Sequence, residues 1–382
     1  MSETSHDSPK NTLFQNILNY AMRIVVGIVF VFTLGWYFAT SYIFINQIRQ
    51  MSGETMGGIT YYVKSFTGAT NRTWEKATQK VDDELRRIDG LMSTYKKDSE
   101  VTRFNHSEST EWFPVSPDIV QVVKLSKEVS ESTDGMFDIT VGPLVDLWGF
   151  GPKQPKPTQP PTEEQINETK EFCGFDKLEF RMDPPALRKT IPQLQIDLSA
   201  VAKGYAVDQV GTVLESCGIK SYMVEIGGET KTKGTKKGGK PWVIGIQEPR
   251  ISEKTALAPL ICEMVNLHDN AMATSGDYFN SKEFGGKRYS HIIDPKTGRP
   301  TEAAFDEQDS EESLGSVSVI APTCAEADAL ATGLFVLGVE KGLALANEKN
   351  IPVLYLVRTS NAEEPFRKIT SKSFEQGKWV VK

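Results

Sequence analysis

The sequence predicts an α+β fold preceded by one transmembrane helix, and three observations carry that prediction. The chain has 382 residues, 39% of them apolar and 24% charged, which is enough for one large or two medium domains with a sizeable core. Strand-like and helix-like stretches are mixed along it without the βαβ rhythm of a doubly wound parallel sheet. Ile24 to Ile45 runs 22 residues without a charge, roughly 33 Å as a helix, and a bilayer core is about 30 Å thick.

In chain order, residues 1–23 read as an N-terminal tail, 24–45 as the anchor and 51–382 as the globular part. Neither an A-x-A cleavage site nor a lipobox cysteine follows the apolar run, so an uncleaved anchor is expected over a signal peptide, with a buried core helix as the competing reading. Lys10 and Arg23 precede the span and Arg49 follows it. That bias predicts that residues 51–382 lie outside the cytoplasm.

Gly57 to Lys64 reads as a strand. Asn71 then caps a helix whose apolar positions Trp74, Ala77, Val81, Leu85 and Ile88 follow helical spacing and which Gly90 ends. Ser116-Pro117 opens another helix, which runs to Thr133-Asp134-Gly135. Five prolines between Gly151 and Pro161 predict an extended surface crossing, because proline neither continues a helix nor donates to a sheet. Helix returns to about Cys173. Leu194 to Leu198 is strand-like and runs into a helix capped by Ser199 and stopped near Gly218. Two strands follow, Tyr222 to Ile226 and Trp242 to Gln247, and the lysines between them, from Lys231 to Lys240, read as solvated turn residues. Ser316 to Ala321 is a strand feeding a helix from about Thr323 to Leu337. The acidic stretch Glu302 to Glu312 reads as a mobile surface loop.

Composition removes several function classes. The net charge is −7, so no field favours a polyanion and no nucleic-acid partner is expected. Cys173, Cys217, Cys262 and Cys324 form no metal spacing, and four histidines are too few for a His-rich metal site. Gly234 to Lys240 matches the first seven positions of a phosphate-binding P-loop, but Pro241 and a strand follow where a hydroxyl and a helix are needed.

Three segments carry chemistry. Asp328 sits inside Ala325-Glu-Ala-Asp-Ala-Leu-Ala-Thr-Gly-Leu-Phe-Val-Leu337, so apolar that an ionised carboxylate there needs a charged partner. Thr332 is one turn away on the same face, and a carboxylate with a hydroxyl suits Mg²⁺ or Ca²⁺. The alternative is a carboxylate that hydrogen-bonds a neighbouring segment. In Asp197-Leu-Ser-Ala-Val-Ala-Lys203-Gly204, a strand end meets a helix N-terminus, where anionic ligands bind and Lys203 adds charge. Equally, Ser199 can be only a cap and Lys203 only solvated. His291, in Arg288-Tyr-Ser-His-Ile-Ile-Asp-Pro295, can take a proton from a hydroxyl or be a structural histidine. Thr133-Asp-Gly-Met-Phe-Asp138 reads by itself as a turn.

From Thr55 to about Gly338 these segments resemble the FAD:protein FMN transferase family, the ApbE-type flavin transferases. The resemblance rests on Thr55-Met-Gly, Met92-Ser-Thr-Tyr95, Ser99 to Asn105, Thr133 to Pro152, Ile196 to Asp208, Glu225-Ile-Gly-Gly-Glu229, Pro241 to Ile246, Ser290-His-Ile-Ile-Asp-Pro295 and Ala327 to Thr332. It implies an ApbE-like, T-fold-related arrangement of mixed sheets with packed helices. It also implies Mg²⁺-dependent transfer of FMN from FAD to a Thr or Ser hydroxyl of an acceptor flavoprotein, such as a membrane redox-complex subunit, with release of AMP. FAD pyrophosphatase and non-catalytic flavin binding are the alternatives.

Residue by residue, the resemblance assigns FAD to Met56, Tyr95, Met136, Phe137, Asp138, Asp197, Lys203 and Ile293. It assigns the metal to Asp328, Thr332 and the main-chain oxygen of Ala200, and the base to His291. The chain would be a single-pass protein of the inner membrane with its catalytic domain in the periplasm. Most such proteins carry a cleaved lipoprotein signal or are soluble, and here an uncleaved span is read instead. Thr67-Gly-Ala-Thr70 resembles the acceptor sequence of these enzymes, with Lys64 where an acidic residue is usual; a plain turn before the first helix of the globular part is the competing reading.

Overall fold

The computed structural model describes residues 9–45, 47–249, 260–278, 280–302, 312–361 and 364–381. The expected acidic surface loop falls largely on residues 303–311, outside those described. Its frame is an eight-stranded antiparallel sheet in the order Gln47–Thr55, Ile59–Thr67, Tyr222–Ile226, Glu229–Lys233, Ala271–Gly276, Ser313–Ala321, Val353–Arg358 and Phe366–Thr370. Both faces are covered, which is why Val353–Arg358 reads as a nearly unbroken apolar run. In Val353–Arg358, Val353 and Tyr355 join the main core while Leu354 and Leu356 join a second one.

The main core is roofed by the helices Asn71–Met92, Ala202–Ser216 and Cys324–Glu348. The predicted stripe Trp74, Ala77, Val81, Leu85 and Ile88 is buried in it. On the opposite face, the ribbon of Trp242–Gln247 paired with Ile261–Leu267 packs Ile246, Val265 and Leu267 against Met272, Ile320 and Phe374. A separate three-stranded sheet of Ser281–Phe284, Lys287–Asp294 and Arg299–Glu302 carries Phe284 and Ile293 into a third cluster with Leu144, Trp148 and Phe150. Trp148 Nε1 donates to the carbonyl of Gly298 at 2.9 Å and ties the two parts of that lobe. The α+β class is therefore confirmed.

Several local expectations need correcting. Thr70, not Asn71, caps the helix Asn71–Met92: its hydroxyl accepts from the Thr73 N–H at 3.2 Å, and the helix passes Gly90. Leu194 to Leu198 makes no strand; only Gln195 bridges to Val141. Ser199 caps nothing, since its hydroxyl turns back onto the Asp197 carboxylate and the helix begins at Ala202. Glu229–Lys233 is a strand that the sequence hid, because its buried positions are the polar residues Glu229, Thr230 and Thr232. Lys231 and Lys233 are consequently paired, with Asp208 and Glu215, each at 2.6 Å. The helix Cys324–Glu348 leaves helical geometry at Gly338, one residue after its predicted end, and then resumes. At the N-terminus one helix runs from Pro9 to Ile45.

Candidate active site

The site begins with a two-residue turn. Gly227 and Gly228 both have positive φ, 60° and 102°, the conformation that closes a tight hairpin between Tyr222–Ile226 and Glu229–Lys233. That turn fixes Glu229 at the head of its strand, where it is 3% exposed. Lys203, in the first turn of Ala202–Ser216, reaches Glu229 Oε1 at 2.7 Å and Asp328 Oδ1 at 3.8 Å. Asp328, also 3% exposed, accepts the Gly204 N–H on Oδ2 at 3.0 Å. Two buried carboxylates thus share one ammonium.

Burial pushes both carboxyls above their ordinary values, against the pull of Lys203. Burial alone would lower Lys203, but Asp328 and Glu229 outweigh it and hold the ammonium charged. With one ammonium between two raised carboxyls, burial favours a proton on one of them, and Glu229 Oε2 is buried without a hydrogen-bond partner. A buried orphan of that kind is costly unless something binds it.

Two irregular loops form the floor. Asp197 N–H donates to the carbonyl of Ile139 at 2.7 Å, which joins the loop after Leu194 to the turn bearing Met136, Phe137 and Asp138. The Asp197 carboxylate accepts from the Ser199 N–H at 2.8 Å. In place of a strand partner, the Asn105 side chain bonds both backbone groups of Ile196, at 2.8 and 2.9 Å. Lys189, 1% exposed, donates to the carbonyls of Asn105, Pro192 and Leu194 at 3.0–3.2 Å. Asp138 accepts from Thr140 N–H and hydroxyl, both at 2.7 Å, and burial, the larger effect, lifts its pKa to about 6.

His291 comes from the three-stranded sheet. Its Nδ1 lies 3.0 Å from the carbonyl of Asn280, so Nδ1 carries the proton and Nε2 keeps the lone pair. Burial lowers its pKa against the Asn280 hydrogen bond, which raises it, and Lys203 adds to the lowering, so the ring is neutral near pH 7.

These groups line one cleft of about 340 Å³. Tyr95, Met136, Phe137, Asp138, Asp197, Ala200, Lys203, His291, Ile293, Asp328 and Thr332 all face it. Met56 lies instead in an adjoining hollow of about 180 Å³, which shares Tyr95, Ser199 and Lys203 with the cleft. Residues not singled out from sequence also line it. Glu229 stood inside a quoted motif without a role. Ser275, whose hydroxyl meets that of Thr332 at 2.9 Å, and Asn280 gave no sequence signal, because each acts through a contact distant in the chain.

The donors suit a hard cation. Among the described residues no three His, Cys, Asp or Glu side chains cluster as a metal site. The cleft is lined instead by Asp328, Thr332, Ala200 and Glu229, whose carboxylate, hydroxyl and main-chain groups carry only oxygen donors, and Glu229 Oε2 is buried and unpaired. That set fits Mg²⁺ and does not fit Zn²⁺.

Residues 55–355 match the ApbE family. An FAD:protein FMN transferase from Vibrio cholerae serotype O1 is 42% identical over 325 residues, covering 85% of this chain and 91% of that protein. The solved flavin transferase ApbE from Vibrio cholerae aligns with a TM-score of 0.73 at 40% identity over 86% of this chain and 99% of its own. The apo form of the Pseudomonas stutzeri flavinyl transferase ApbE gives 0.74 at 36% identity over 87% and 96%.

Proposed function

The chain belongs to the ApbE family and is an FAD:protein FMN transferase, and we propose that the cleft between Lys203, Asp328 and His291 moves FMN from FAD onto a Thr or Ser hydroxyl of the acceptor. One observation carries the assignment of the site. A neutral imidazole, its Nδ1 tied to Asn280, shares a cleft with two buried carboxyls that have one ammonium between them. A proton acceptor and a place for a cation beside a diphosphate are what phosphoryl transfer to a hydroxyl requires.

In this reading FAD lies along Met136, Phe137, Asp138, Asp197 and Ile293, with Tyr95 and Met56 at the adjoining hollow and Lys203 beside the pyrophosphate. Asp328, Thr332 and the main-chain oxygen of Ala200 would hold Mg²⁺, which supplies neutralisation of charge on the pyrophosphate and the leaving group. His291 Nε2 takes the hydroxyl proton as the acceptor oxygen bonds to the FMN phosphorus. The P–O bond to the AMP half breaks, and AMP leaves with the bridging oxygen. Lys203 stays fixed by Glu229 throughout, so its charge needs no rearrangement when negative charge builds.

The helix from Pro9 to Ile45 serves as a single-pass anchor. Its stretch Asn16–Tyr37 has a mean hydropathy of 2.0, and none of it is buried against the rest of the chain. Cys324–Glu348 is comparably apolar, but 44% of it is buried in the core that holds Asp328. We assign the anchor to the inner membrane with the catalytic domain outside the cytoplasm, acting on a flavoprotein such as a membrane redox-complex subunit.

The test is incubation with FAD, Mg²⁺ and an acceptor protein, read by acceptor mass and by AMP. Equal amounts of AMP and of an FMN-sized adduct are expected. Full-rate AMP release without acceptor would make the site a pyrophosphatase; unchanged FAD would make it a carrier.

A further inference from the structure

We propose that Glu229 supplies a second carboxylate to the cation site, binding the metal through Oε2. The inference rests on the Mg²⁺ reading above and adds a ligand from a strand of the main sheet. Each other carboxylate at the cleft accepts a hydrogen bond from a backbone N–H of a different residue. Asp197 is bonded by Ser199, Asp138 by Thr140 and Asp328 by the Gly204 N–H. Glu229 differs: Lys203 occupies Oε1, while Oε2 is buried and unpaired. Glu229 lines the same cleft as Asp328, Thr332 and Ala200, and one ammonium contacts both acids, so the two carboxylates are close neighbours. The side chain has little freedom to turn away. Its backbone is set by the Gly227-Gly228 turn, the residue is 3% exposed, and Lys203 holds Oε1 at 2.7 Å.

A small divalent cation bonds best to oxygens already stripped of water and held in place, and two carboxylates balance it where one leaves an excess of positive charge. Bound between them, it would give Oε2 the partner that the protein itself does not provide. Lys203 would keep the two acids apart from direct repulsion in the meantime.

The probe is Mn²⁺, titrated by electron paramagnetic resonance into the full-length enzyme with and without FAD. Melting in EDTA reports folding. Wild type should bind; Glu229→Gln, which keeps size and polarity, should bind at least tenfold more weakly while melting as wild type does in EDTA. Glu229→Asp should also weaken binding, because a shorter carboxylate that stays with Lys203 withdraws its second oxygen; it keeps the test alive if the amide variant fails to fold. Wild-type Mn²⁺ affinity in either folded variant, with affinity lost in Asp328→Asn, overturns the role of Glu229 alone. A wild-type enzyme that binds no Mn²⁺ overturns the cation site itself.

Discussion

The backbone N–H of Gly204 donates to Oδ2 of Asp328 at 3.0 Å, a bond that two helices distant in sequence make only because position 204 has no side chain. A Cβ there would lie 2.4 Å from the carbonyl oxygen of Cys324 and 2.8 Å from Ala325 Cα. Both are backbone atoms at the start of the helix Cys324–Glu348, which Asp208 also anchors through the N–H groups of Cys324 and Ala325 at 3.1 and 3.0 Å. Gly204→Ala should therefore push the helices apart, destabilise the fold by about 1–3 kcal/mol and displace Asp328. Urea denaturation and AMP release measure the two effects; unchanged values for both would show that the helices have room.

Asn105 substitutes for a strand partner by holding Ile196, the residue before Asp197. Asn105→Ala leaves two backbone groups of a buried residue unpaired, at roughly 1–3 kcal/mol each. The loop carrying Asp197 and Ala200 should loosen. The KM for FAD should rise at least tenfold, with a smaller change in kcat, because binding geometry is lost and the base is untouched. Equal falls in kcat and kcat/KM would assign Asn105 a different task.

What the sequence makes legible here depends on the kind of contact. The stripe from Trp74 to Ile88 and the alternation in Tyr222–Ile226 were readable because one apolar face recurs at a fixed period. Glu229–Lys233 was not, since a strand that buries Glu229, Thr230 and Thr232 has no apolar signature to count. Leu194 to Leu198 looked like a strand because its apolar residues alternate, yet Asn105 and Lys189 take its backbone groups instead of a ladder. At the site, Asp328 and Lys203 drew notice as charges in apolar or helix-start settings. Ser275 and Asn280 could not, as their neighbours Thr332 and His291 lie 57 and 11 residues away.

Asp138 should tune stability with pH. Its carboxyl is lifted from 3.8 to about 6, so the folded state holds that proton more tightly than the unfolded state does. Between those values the native chain binds more protons, and stability falls as pH rises. Above about pH 6 the whole penalty is present, roughly 3 kcal/mol at most, less whatever water screens at its partly exposed edge. Asp138→Asn removes the charge and keeps an oxygen for the two Thr140 bonds. It should melt higher than wild type at pH 7, with the gain vanishing towards pH 4. A gain of equal size at both pH values would mean that ionisation is not its source.

Asp328 and His291 separate holding the substrate from moving its proton. Asp328→Ala leaves Lys203 with Glu229 and removes the carboxylate that the Gly204 N–H faces, so turnover and its Mg²⁺ dependence should both disappear. His291→Ala leaves the buried cluster intact. FAD affinity should then stay near that of wild type while transfer to the acceptor falls by about 10²–10⁴-fold, the usual worth of a positioned base. The wild-type pH profile supplies an independent check. Burial and Lys203 favour the neutral ring, and the neutral ring is the form that accepts a proton. The acid limb of kcat/KM should accordingly have its midpoint below the ordinary histidine value of about 6.5, with a plateau through neutrality. A midpoint above that value, or an unchanged profile in the alanine variant, would take the proton transfer away from His291 and leave it the structural task of holding the Asn280 loop.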